Sequence, residues 1–129
     1  MLVRLPELMG EPPTQPIRAL FICHYNRKRS ATAERIFGKD PALDVLSAGT
    51  SDEAMVQVNQ RMLEWADLVF VMDGEQVDAL GKMFPNHPML PRVICLNIQD
   101  TYHFLDPDLV AILQERTKPH FDRLRTANS

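Results

Sequence analysis

From Ile17 onward the chain alternates short apolar runs with amphipathic stretches. Ile17-Arg18-Ala19-Leu20-Phe21-Ile22 reads as a buried strand. Ser30 to Phe37 reads as the helix that follows, with Ser30 placed to cap it and Gly38 to stop it. Leu43 to Ser47 predicts a second strand, and Val56 to Trp65 a short helix with Val58, Met62 and Trp65 on one face. Leu68 to Met72 is the most apolar run and predicts a central strand. Gly74 to Phe84 predicts a helix, and Arg92 to Leu96 a fourth strand. Asp106-Pro107 then opens the last helix, with Asp as cap and Pro in the first turn. Leu109, Ile112 and Leu113 should face inward there, and Pro119 should kink or restart the helix before Phe121 and Leu124.

Strands that alternate with helices predict an α/β fold: a parallel sheet with right-handed crossovers and helices on both faces. In such sheets ligands sit at the carboxyl ends of the strands, where the winding direction switches. Residues 1–16 hold four of the ten prolines and no clear period. They are expected to form an irregular N-terminal arm pinned by Leu2, Leu5 or Leu8, with residues 17–129 as one domain.

Composition narrows the class without changing this picture. Of 129 residues 45% are apolar and 24% charged, the balance of a soluble globular domain. A net charge of -3 speaks against a nucleic-acid binder. No apolar run approaches the ~20 residues that cross a bilayer, so no membrane association is expected, and the N-terminus lacks the marks of a secretory signal. Two cysteines, Cys23 and Cys95, make no disulfide framework, and a reducing cytoplasm is the expected compartment.

The segment leaving the first strand carries the chemistry. It reads Cys23-His24-Tyr25-Asn26-Arg27-Lys28-Arg29-Ser30, a Cys-x5-Arg-Ser loop between a strand and a helix. Successive backbone N–H groups in such a loop form an anion-binding nest, and the helix adds its positive end. Arg29 can clamp two phosphate oxygens with its planar fork. Cys23, at the same focus, is expected as the thiolate that attacks phosphorus. Ser30 can donate a hydrogen bond to that thiolate as it leaves, and Asn26 tolerates the left-handed backbone a tight cradle needs. Six polar residues directly after a core strand are not a packing pattern.

The stretch Ala19–Gly38, ALFICHYNRKRSATAERIFG, resembles the low-molecular-weight protein tyrosine phosphatases, whose signature is Cys-x-x-Asn-x-x-Arg-Ser after the first strand. Leu43-Asp44-Val45-Leu46-Ser47-Ala48-Gly49-Thr50, Ala66 to Asp73 and Asp106-Pro107 follow in the family's order. The resemblance implies a four-stranded parallel sheet in the order 2-1-3-4. It implies phosphomonoester hydrolysis through a phosphocysteine, without metal or cofactor. It makes Cys23 the nucleophile, Arg29 the phosphate clamp and Asp106 the general acid. His24, Tyr25, Asn26, Arg27, Lys28, Arg29 and Ser30 become the phosphate-binding loop, supported by Asn26, Ser30 and Ser47. The expected partners are a phosphotyrosine protein or aryl phosphate, and phosphate or sulfate in the loop.

The sequence also departs from that family. Lys28 stands where many members carry a second Cys, and Asp108-Leu109 follows Asp106-Pro107 in place of aromatic residues. His24 and Tyr25, with Tyr102, His103 and Phe104, are instead expected to wall the cleft. A phosphopeptide-binding module without turnover is the alternative from another class. An arsenate reductase is the enzymatic one, and it would need a cysteine relay that only Cys95 can join. His24, His87, His103 and His120 show no metal-ligand spacing, and the last three read as solvated. Asp100, Asp106 and Asp108 read as a solvated loop with a cap, Cys95 as core, and the seven methionines as packing.

Overall fold

The computed structural model describes residues 15–87 and 93–128. The expected contacts of Leu2, Leu5 and Leu8 lie outside the described residues. In chain order the elements are β1 (Ile17–Cys23), α1 (Arg29–Phe37), β2 (Leu43–Gly49), α2 (Gln60–Trp65), β3 (Leu68–Val71), α3 (Gly74–Met83), β4 (Val93–Cys95) and α4 (Pro107–Asn128). The strands form one parallel sheet in the order β2-β1-β3-β4. This is the expected α/β architecture.

Period-two alternation in β1 builds both halves of the core. Ala19, Phe21 and Cys23 join Phe70, Met72, Leu109, Leu113 and Phe121 on the face covered by α1 and α4. Leu20 and Ile22 join Val69, Val71, Leu63 and Leu80 on the face covered by α2 and α3. Phe21 stacks between Phe37 (5.4 Å) and Phe70 (4.9 Å), which locks α1 over the centre of the sheet. Each face alone would leave the other in water, so the strands need helices on both sides.

Several elements differ from the sequence expectation. Ser30 does not cap α1. Lys28 is the N-cap, without a side-chain bond, and Ser30 is buried beneath the loop. β2 runs on to Gly49, because Ala48 and Gly49 pair with Ile22 and Cys23. α2 starts at Gln60 and not at Val56. Val56 O and Val58 N bond to the backbone of Gly49, which holds that stretch extended, and Asn59 Oδ1 then accepts from Met62 N to start the helix. α4 does not restart at Pro119. Leu113 and Phe121, on either side of it, bury against the same sheet face, and this packing carries the helix through. Arg92 lies outside the described residues.

Candidate active site

Cys23 ends β1 and Arg29 begins α1, so the loop between them turns at the carboxyl edge of the central strands. Backbone bonds tie its carbonyls away from the cleft: Thr50 N donates to Cys23 O (3.0 Å), Ser51 N to His24 O (3.0 Å) and Met55 N to Tyr25 O (3.1 Å). A trans peptide points its N–H opposite to its C=O, so the amides of His24, Tyr25 and Asn26 turn the other way from these carbonyls. Asn26 N lies 3.2 Å from Cys23 Sγ. Asn26 itself sits at φ 59°, the left-handed conformation expected of it. Gly49 makes room for this turn: a Cβ there would lie 2.5 Å from His24 O and 2.6 Å from the Ala54 Cβ.

Under the loop runs a buried polar network. Asn26 Nδ2 donates to Ser30 Oγ (2.9 Å) and Ser47 Oγ (2.8 Å), and Ser30 Oγ lies 3.0 Å from Cys23 Sγ. Ser47 in turn donates to Glu34 Oε1 on α1. The backbone amide of Asn26 donates to the sulfur, and the Ser30 hydroxyl has its one proton within reach of the sulfur and of Ala48 O (3.3 Å), so it can add a second donor to a thiolate.

Arg29 is buried and held from behind. Its Nη1 donates to Asp73 Oδ2 (2.7 Å) and to Ile98 O (2.8 Å). Its Nε has no hydrogen-bond partner among the described residues and lies 3.7 Å from Asp100 Oδ1. A buried donor left without a hydrogen bond in this way is uncommon in folded proteins. Burial pushes the Asp73 carboxyl up, but the bonds from Arg29 and Glu75 N and the Arg29 charge outweigh it, leaving the group below its ordinary value. Asp73 also caps α3, joined by Gln76 in a capping box.

The cleft above these groups has a volume of about 260 Å³ and is lined by Cys23, Tyr25, Arg27, Lys28, Arg29 and Asp100. His24 does not line it. Its ring stands edge-on to Tyr25 and Nδ1 lies 3.8 Å from Glu75. Asn26, Ser30 and Ser47 sit beneath the cleft as supports.

Asp106 is likewise not among the lining residues. Its Oδ1 accepts from Asp108 N (2.9 Å) as the cap of α4, while Leu105 N donates to Thr32 Oγ1 (2.9 Å), which docks this turn beside α1. Asp100, the first acid past the end of β4, is the carboxylate in the cleft. Its closeness in sequence to the strand end was the available signal. Asp73, Glu34 and the carbonyl of Ile98 carried none, because their roles depend on which strand ends meet.

Of the expected aromatic walls only Tyr25 lines the cleft. Tyr102 packs against the core and Phe104 stands beyond it on α1. Cys95 is half-buried and packs against the core, with Sγ 3.4 Å from Asn97 Oδ1. Met55 is exposed, not packed. His103 is exposed as expected, but the His87 side chain is tucked in beside Glu64, and His120 is half-buried against Phe70. Among the described residues, no cluster of three or more His, Cys, Asp or Glu side chains is placed to hold a metal, and no helix is long and apolar enough to cross a membrane. A larger cleft of about 350 Å³ between α2 and the end of α3 includes Glu64 and His87 but no nucleophile.

Compared by sequence, the chain matches no protein-family model and no curated protein. Compared by structure, it is similar to the YwlE arginine phosphatase of Geobacillus stearothermophilus at 20% identity, covering 85% of this chain and 97% of that one with a TM-score of 0.64. The tyrosine phosphatase Wzb of Escherichia coli K30, solved with phosphate, matches at 17% identity over 83% and 97% of the two chains, with a TM-score of 0.67. A low-molecular-weight protein tyrosine phosphatase from Streptococcus pyogenes matches at 18% identity over 88% and 94%, with a TM-score of 0.63. With its 2-1-3-4 sheet and a Cys-x5-Arg-Ser loop at the end of the first strand, this chain carries the fold of the low-molecular-weight protein tyrosine phosphatases.

Proposed function

We propose that this protein is a metal-independent phosphomonoester hydrolase, of the protein tyrosine phosphatase type, working through a phosphocysteine. One observation carries the reading: Cys23 Sγ, beside the hydroxyl of Ser30 and the amide of Asn26, shares a cleft with Arg29, whose Nε has no hydrogen-bond partner among the described residues. The Cys23 thiolate attacks phosphorus, forming the S–P bond as the bond to the leaving oxygen breaks. Loop amides and the Arg29 edge hold the equatorial oxygens, and Asp73 and Ile98 keep that edge in place. Asp100, in its protonated form, gives its proton to the leaving oxygen, the role for which the sequence pointed to Asp106. Water then attacks the phosphocysteine, Asp100 takes the water's proton, and the thiolate departs toward the hydroxyl of Ser30.

Tyr25 supplies an aromatic wall at the mouth, which suits a phosphotyrosyl or other aryl phosphate. The free thiols of Cys23 and Cys95 suit a reducing, cytoplasmic setting. The test is phenolate release from aryl phosphates of graded leaving-group acidity, with chelator present. A phosphotyrosyl and a phosphoarginyl peptide complete the panel, since both chemistries occur among the neighbours. Cys23→Ser should abolish turnover. Asp100→Asn should slow poor leaving groups far more than activated ones, with Asp106→Asn near wild type. If Asp106→Asn alone shows that leaving-group dependence, the acid is Asp106. If the aryl phosphates are bound and not cleaved, the protein is a binding module.

A further inference from the structure

A second concave surface begins one helical turn from the catalytic cleft. It is a groove of about 460 Å³ lined by Ala31, Glu34, Arg35, Gly38, Lys39 and Phe104. Lys28, Ala31, Arg35 and Lys39 follow each other at spacings of three or four residues, so they share one face of α1 and its flanks. Lys28 lines the catalytic cleft and Ala31, three residues on, lines the groove, so the two depressions follow each other along the helix.

The far wall is built with care. Phe104 is a large apolar side chain left 42% exposed. Its ring lies under the guanidinium of Arg35, 5.6 Å from the carbon to the centroid. The next residue, Leu105, holds φ 63°, a conformation L-residues with bulky side chains rarely adopt, and its N–H is tied to the buried Thr32 hydroxyl. Strained backbone that positions an exposed aromatic is the kind of local expense that persists where a surface is used.

Charge says what the groove takes. Among the lining residues Arg35 and Lys39 form no ion pair with any described residue, and they outnumber the one acid, Glu34, which keeps its charge while accepting the Ser47 hydroxyl. The chain as a whole carries a net charge of -3, so attraction of an anionic partner must come from a local stripe such as this one. From Lys28 to Arg35 the helix rises about 10 Å, which an extended peptide spans in about three residues.

We propose that this groove is a subsite for an extended substrate segment with acidic residues about three to five positions from the phosphorylated one, its apolar neighbour resting on Phe104. The proposal rests on the phosphatase reading above. The test uses three phosphotyrosyl peptides that differ only in carrying Glu, Ala or Lys at those positions, on either side, with p-nitrophenyl phosphate as the substrate that cannot reach the groove.

Wild-type kcat/KM at low salt should favour the Glu peptide over the Lys peptide by about tenfold on one side of the phosphotyrosine, through KM, and the preference should fall as salt rises. Arg35→Gln/Lys39→Gln should erase that preference and leave the aryl phosphate unchanged. Equal rates on all three peptides with normal aryl phosphate turnover overturn the subsite while sparing the phosphatase. A preference that survives in the double variant assigns it to Arg27 and Lys28 and also overturns the groove. No turnover of the aryl phosphate overturns both readings.

Discussion

Asp73→Asn isolates one electrostatic contact. Asn is as good an N-cap as Asp, and its one acceptor oxygen can keep the bond from Glu75 N at the start of α3, so the charge and the hydrogen bond facing Arg29 are lost together. The Arg29 side chain is 3% exposed and Asp73 34%, at 2.7 Å. Breaking a fully buried pair costs about 3–5 kcal/mol, whereas an exposed pair is worth about 0–1 kcal/mol. Here one partner is sealed and the other is about one-third open, and Ile98 O still accepts from Nη1. The cost should therefore be about 2 kcal/mol, close to a 30-fold shift in the folding equilibrium. The sign with pH follows from the lowered Asp73 carboxyl. Its contribution is fully present above the ordinary value of 3.8 and is lost as pH falls through the folded-state value below that. Urea unfolding of both proteins at pH 7 and at successively lower pH reads this directly. The two curves should differ at neutral pH and converge in acid. A difference under about 0.5 kcal/mol at pH 7, or one that persists unchanged in acid, would refute the view that Asp73 neutralises the buried guanidinium.

Other outcomes follow from single contacts. Gly49→Ala places a Cβ 2.5 Å from His24 O and 3.0 Å from Asn26 N, so it should cost about 2 kcal/mol or more and abolish turnover, checked by denaturation and aryl phosphate hydrolysis. Arg116 donates to Leu96 O (2.8 Å) and Asn97 O (2.6 Å), holding the turn that delivers Ile98 and Asp100. Arg116→Ala should lower kcat with KM little changed, with partial rescue by Arg116→Lys. Burial, aided by Arg123, pushes the His120 imidazole below its ordinary 6.5, so stability should decline as pH falls from 6.5 through the folded-state value. In His120→Leu that decline should flatten in thermal melts.

The sequence alone determined the sheet and the loop. β1 and β3 are read from runs of apolar residues too long for loops and too short for helices, and Cys23, Asn26, Arg29 and Ser30 sit within eight residues whose roles are set by local backbone geometry. Ser30 shows where such reading stops: as a hydroxyl before a helix it promised a cap, but the strand beside it turned it under the loop toward Cys23. That Asp100 lines the cleft while Asp106 caps α4 is visible only in three dimensions. Both follow β4, and Asp-Pro is the stronger local signal, yet that signal reports a helix start, and the Leu105–Thr32 bond docks the start along α1. Asp73 and Ile98 are likewise meaningful only once β3 and β4 lie in register beside β1. Periodicity and turn chemistry are local properties and can be read from neighbours along the chain. Which carboxylate meets a buried guanidinium depends on residues about 44 to 71 positions apart, and only packing brings them together.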